Sequence, residues 1–183
     1  VGVTTRAGEY LIADAATGAI TRASAEADMS VQLTADGAIE IATIAAGTDV
    51  EASGASIAVA SAEAGGDIDM DATGELSLGN GEAAGTIALA SQTGSITSTG
   101  TLAATRLEAQ AAADLALGDV DVTDDLVLAA SGGSITGNNF ASDGSVDLTA
   151  ADEIGVGNID AGTDIALQAN DITLGGATAG GAF

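Results

Sequence analysis

Asp49, Glu51, Asp67, Asp69 and Asp71 are the residues whose type and spacing come closest to a site. Asp67 follows Asp49 by 18 residues, Asp69 follows Glu51 by the same interval, and Asp71 continues the alternation. If the two stretches lie side by side, five carboxylates share one face across two adjacent turns of chain. Like charges on neighbouring strands are costly unless solvated or bridged, and oxygen-only ligands suit Ca²⁺. A second acidic group, Asp119, Asp121, Asp124 and Asp125, falls near a chain corner. A plainer account carries more weight: these acids form a solvated face that keeps the molecule soluble and stops lateral sticking. The glycine-rich calcium nonapeptide G-G-x-G-x-D is absent, and GGDIDMDAT shares only its general composition. Ca²⁺ is therefore expected as an optional cofactor, not a required one.

Other chemistry is scarce. The chain has no His, Cys or Lys, so nucleophilic catalysis that needs a base near neutral pH has no candidate residues. Transition-metal sites built on imidazole or thiolate fall with it. The glycines of GNGEAAG do not open a helix after a strand, so no phosphate cradle is expected. Paired carboxylates could serve glycoside hydrolysis at about 5 Å or about 6.5–9.5 Å separation. With 27 acids on a repeating scaffold such spacings arise by chance, and Tyr10, Phe140 and Phe183 are too scattered to hold a sugar. The expectation is a protein without catalysis, with a polysaccharide-active enzyme as the alternative.

The charge balance narrows the partners. Twenty-seven acids against three arginines give a net charge of −24, which repels nucleic acid and anionic lipid alike. No apolar run is long enough to span a membrane as a helix, so neither nucleic acid nor membrane insertion is expected. Zero cysteines is neutral evidence on compartment.

The elements that must position these acids emerge from the period of the hydrophobic residues. The strongest apolar anchors are Val31, Val50, Ile68, Ile87, Leu107, Leu126, Val146 and Ile165, separated by 19, 18, 19, 20, 19, 20 and 19 residues. Two positions on stand Leu33, Ala52, Met70, Leu89, Ala109, Leu128, Leu148 and Leu167, and four positions on stands a small residue. Period-two alternation marks a strand with one buried face. A second burst follows at Ile39, Ile57, Leu76, Ile96, Leu115, Ile135, Ile154 and Ile172, and a weaker third at Ile44, Leu102, Val120, Phe140 and Ile159. Each repeat then has three sides, with Gly37, Gly74, Gly94, Gly133, Gly47, Gly65 and Gly162 at corners where positive φ is expected. Tyr10, Ile12 and Ile20 are taken as an earlier, fainter copy.

These features predict an all-β parallel β-solenoid, a single domain over 1–183 with about nine coils, clearest over 30–175. Turns stacked at about 4.8 Å make a rod about 40 Å long. The absence of proline agrees with central strands whose every N–H is needed. LAATRLEAQAAADLAL, residues 102–117, is helix-leaning by propensity, yet its apolar residues keep the inward register, so a strand is expected there. Arg106, one turn before Asp125, is expected to pair with it. Asn138, Asn139 and Phe140 are expected to make a turn with one larger core filler.

The phrases GDIDMDATGELSLGNG, GTIALASQTGSITSTG and GTDIALQANDITLGG resemble, over residues 30–175, the repeat shafts of filamentous haemagglutinin-type bacterial exoproteins. The resemblance implies a right-handed β-helical shaft of a large secreted or outer-surface adhesin, often exported by a two-partner system. No counterpart of that family's amino-terminal secretion domain is recognisable.

Solenoid ends normally carry caps, and none is evident at either terminus. The expected partner is therefore a continuation of the same chain, or a second copy stacked end to end, with host or neighbouring-cell glycans or proteins as further partners. A chain that opens on Val1 is consistent with a processed or excised segment. An ice-binding solenoid is disfavoured because long Thr-x-Thr rows are missing.

Overall fold

A computed structural model describes residues 4–183, and it is a parallel β-solenoid of nine coils without helix. The anchor strands are Leu11–Ala15, Val31–Ala35, Val50–Gly54, Ile68–Ala72, Thr86–Ser91, Arg106–Ala111, Leu126–Ala130, Val146–Ala150 and Ile165–Gln168. They form one nine-stranded parallel sheet in sequence order. Every anchor residue lies in register with the next, from Val31 on Val50 to Val146 on Ile165.

The second and third bursts fold differently from the three separate sides expected. In seven coils they belong to one continuous strand of eight or nine residues, such as Ala38–Ala46, Ser56–Ala64 and Glu153–Ala161. Two adjacent outward residues, as at Ala42 and Thr43, let the strand turn a corner without leaving the ladder. Only in the fifth and sixth coils is the strand divided, into Ile96–Thr97 with Thr101–Ala104 and Leu115–Ala116 with Asp119–Val122. The second and third sides are thus one bent sheet.

The core is a set of columns. Ile39, Ile57, Leu76, Ile96, Leu115, Ile135 and Ile154 are fully buried, each beside its counterpart one coil away. The third-side column runs Ala25, Ile44, Ala62, Gly81, Leu102, Val120, Phe140, Ile159. Its sizes are uneven, and neighbours compensate, because interiors are close-packed. Phe140 is 1% exposed, and a Cβ on Gly137 would come within 2.3 Å of its ring. Phe140 is the expected core filler, with Gly137 providing its space.

The helix-leaning segment is strand, with Leu107, Ala109, Ala111, Leu115 and Leu117 buried in the predicted register. Burial of that alternate face outweighs a propensity difference of a few tenths of a kcal/mol per residue. The first coil departs from the expected alignment. Leu11 occupies the anchor column, opposite Val31, while Tyr10 and Ile12 flank it on the outside, 54% and 70% exposed. Only Ile20, opposite Ile39, falls in a core column as expected.

The glycine corners also have another cause. No described residue has positive φ. What the corners require is absence of a Cβ: one on Gly65 would meet the carbonyl oxygen of Gly47 at 2.2 Å, and one on Gly162 would meet that of Asp143 at 2.0 Å. Successive coils approach so closely there that backbone fills the space a side chain would need.

Candidate functional site

The strand Ile68–Ala72 carries Asp69 and Asp71 outward while Ile68, Met70 and Ala72 are buried, and Val50–Gly54 does the same for Glu51. Register sets Glu51 beside Asp69 on adjacent coils. Glu51 Oε2 accepts a hydrogen bond from Gln32 Nε2 at 2.9 Å, and the Asp71 carboxylate accepts from Gln92 Nε2 at 3.1 Å. Asp69 has its pKa raised above the ordinary aspartate value, first by burial and then by the charges of Glu51, Asp71 and Asp67. The crowding expected from the spacing is present.

Asp49 and Asp67 behave differently from the other three. Both sit at the corner before an anchor strand, and each turns its carboxylate to the backbone of the next coil. Asp49 Oδ1 accepts from Asp67 N at 3.0 Å, and Asp67 Oδ1 accepts from Thr86 N at 2.6 Å. Among the described residues no three acidic side chains converge on a point where they could hold a metal ion.

The acids of the second cluster serve two sides of the coil. Asp119 and Asp121 lie on the third-side strand, where Asp119 Oδ1 accepts from Asn139 Nδ2 and Asn139 Oδ1 accepts from Asn158 Nδ2, both at 2.9 Å. Asp125 precedes an anchor strand, accepts from Ser145 N at 2.9 Å, and lies 3.6 Å from an Arg106 terminal nitrogen. The Arg106–Asp125 pair is as expected. Arg106 Nε lies 2.7 Å from Glu108 Oε1 as well, in ion-pair contact but off the donor axis of a hydrogen bond.

Sequence reasoning missed the commonest role of these side chains. Six times an Asp or Asn oxygen accepts a backbone N–H from the coil above: Asp49, Asp67, Asn80, Asp114, Asp125 and Asp164 bind the amides of Asp67, Thr86, Thr101, Ser134, Ser145 and Ala182. The residue before every one of those donors is glycine. A Cβ on that glycine would meet the accepting oxygen at 1.9–2.8 Å. An Asp or Asn one coil ahead of a Gly-X corner is the signal that would have revealed the pairing.

An open groove of about 640 Å³ runs along the outside of the bend in coils one to five. Ala42, Ala58, Ala60, Ser77, Gly79 and Asn80 are among the residues that line it. Glu40 is the carboxylate among its lining residues.

No family model matches the sequence, and neither the curated proteins nor the solved structures compared with it give a match.

Proposed function

We propose that this chain is a structural, non-catalytic rod of a secreted or bacterial outer-surface fibre, of the kind the filamentous haemagglutinin-type resemblance implies. The observation that carries this reading is the stacking of nine coils in register, with several outward polar side chains bonded to the neighbouring coil. Corner carboxylates hold backbone amides, and Asp119, Asn139 and Asn158 bind one another. Such a body resists bending and proteolysis because its backbone groups are paired along nearly its whole length. Its role is to hold an adhesive element away from a surface, or to lengthen a fibre by adding like coils; surface glycans and proteins are the partners such a fibre meets. Negative-stain images of the isolated chain, with a protease challenge, test the proposal. Stiff rods about 40 Å long, or longer fibres built from them end to end, together with slow digestion, support it. Rounded particles cleaved within minutes would overturn it.

A second reading is that Ca²⁺ bridges Asp49, Glu51, Asp67, Asp69 and Asp71 during assembly. The charges of Glu51, Asp71 and Asp67, which after burial add to the raised Asp69 pKa, are what a cation would offset; against it, no three acidic side chains among the described residues converge on one point. Its test is a comparison of calcium with monovalent salt.

A further inference from the structure

The junctions between successive coils are not alike in charge. Parallel register sets each outward side chain opposite its counterpart one coil away, where like charges destabilise the pairing. Much of the sequence avoids this by alternation: along the third side Glu82, Ala103, Asp121, Ala141 and Asp160 follow one another. In the strand ladders of the described residues, acid faces acid at two junctions. Glu153 lies opposite Asp171 between the eighth and ninth coils. Between the third and fourth coils there are two such pairs, Glu51 opposite Asp69 on the anchor side and Glu63 opposite Glu82 on the third side.

The ladder positions flanking these two pairs are neutral, Gln32 and Ala45 on the second coil and Ala88 and Ala103 on the fifth. Further acids stand near. Asp67 and Asp71 act on Asp69, Glu26 and Asp28 line a shallow concavity with Glu63, and Asp121 lines another with Glu82. The interior of the third side is also thin at this junction, which sets Ala62 against Gly81, the smallest pair of that column. A Cβ on Gly81 would meet Leu78, Leu102 and Ile87 at 3.0–3.3 Å, all side chains of the fourth and fifth coils. The space beside Gly81 is thus filled from its own side of the junction, and the third coil offers it only the Ala62 methyl.

We propose that the junction between the third and fourth coils is a charge-sensitive seam, at which the stack parts before its other interior junctions while the two acid pairs are unscreened. In a stack whose coils touch only their neighbours, stability is a sum of coil and nearest-neighbour terms, so the weakest junction decides where it opens. The backbone bonds that cross the seam are Val50 N to Asp67 O, Ile57 N to Glu75 O, Thr73 N to Gly54 O and Gly74 N to Ala55 O, at 2.8–3.0 Å. Opening frees these amides while the three coils before the seam and the six after it stay paired among themselves. The inference goes beyond the rod reading, since it concerns where the stack parts and not what the stack carries.

Amide hydrogen exchange of the full chain, followed by NMR in low-salt, calcium-free buffer at pH 7, tests the seam. The amides of Val50, Ile57, Thr73 and Gly74 should exchange faster than those of Val31, Ala55 and Gly65, which bond across the junction between the second and third coils. That order separates a seam from end fraying, which releases the second-coil bonds first. Glu51→Gln combined with Glu63→Gln should slow the four seam amides by about threefold or more, and added sodium chloride should slow them too. Asp121→Asn combined with Asp160→Asn, acids whose ladder neighbours are neutral, should leave them unchanged. All four substituted side chains are exposed, and an unchanged circular dichroism spectrum shows that the variants fold. Seam amides no faster than those of Val31, Ala55 and Gly65, or the same effect from both double substitutions, would overturn the inference. Rod-shaped images with even exchange along the stack would remove the seam and leave the structural reading standing.

Discussion

At the scale of single residues, Asp69 and Phe140 show how neighbours decide what a side chain costs. Asp69 holds its proton more tightly in the folded chain than in the unfolded one, because burial and three nearby carboxylates disfavour its charge. The folded state therefore binds more protons between the ordinary aspartate pKa of about 3.9 and the raised value, and stability falls as pH rises through that window. Above the folded pKa the destabilisation is fully present, and below the unfolded pKa it is gone. Asp69→Asn should consequently raise the melting temperature at pH 7 and leave it unchanged near pH 3, read by circular dichroism; an equal shift at both pH values would remove the electrostatic account. Phe140 is held by volume. Phe140→Ala should cost about 3–5 kcal/mol. Gly137→Ala, whose new methyl would press on the ring, should cost about 1–3 kcal/mol by overpacking. Combining Gly137→Ala with Phe140→Leu should cost less than the sum, since the smaller side chain vacates the space the methyl needs; additive losses in urea unfolding would contradict the packing.

At the scale of the element, each corner joins a carboxylate or amide in one coil to a glycine and an amide in the next. Asp67→Ala removes the acceptor for Thr86 N and should cost about 0.5–1.5 kcal/mol, while Asp67→Asn, which keeps an oxygen there, should cost less. Gly65→Ala should cost more than either, because its Cβ would meet backbone, whereas Gly18→Ala meets nothing within 4 Å and should be tolerated. Chemical denaturation of the four variants checks the ranking; a damaging Gly18→Ala with a harmless Gly65→Ala would reverse the argument. The strands themselves were legible in sequence because burial imposes a strict alternation, and all eight anchors and all eight second-burst residues fall in their columns. The corner pairings were not, because each partner lies 18 to 21 residues away and the interval drifts from coil to coil. Nor was the close approach behind the glycines, since a composition that permits positive φ reads the same as one that admits a neighbouring carbonyl. Tyr10 and Ile12 misled for a related reason: near the first coil the larger apolar residues face outward and the anchor is a single leucine between them.

At the scale of the whole molecule, stacking in register has an electrostatic consequence that no single pair conveys. Parallel coils align each outward position with its counterparts, so acids scattered along the sequence become rows, such as Glu51 beside Asp69 and Glu63 beside Glu82. A net charge of −24 with three cations leaves most of that repulsion uncompensated within the chain, and it opposes the compact state. Exposed charges further apart than about 8 Å are largely screened at physiological salt, so adding salt removes the longer-range part first. Two accounts of the acid rows then make different demands. If the rows act as a diffuse field, sodium and calcium chlorides at matched ionic strength should raise the melting temperature alike, and Asp69→Asn should reduce the rise only slightly. If Asp49, Glu51, Asp67, Asp69 and Asp71 bind calcium as a set, calcium should exceed sodium at matched ionic strength, and Asp69→Asn should abolish the excess. The diffuse field is the expected outcome, because no three acidic side chains among the described residues converge on one point, and Asp49 and Asp67 each already commit one carboxylate oxygen to a backbone amide. A saturable calcium increment that Asp67→Asn or Asp69→Asn eliminates would show instead that the ion gathers these carboxylates into a site.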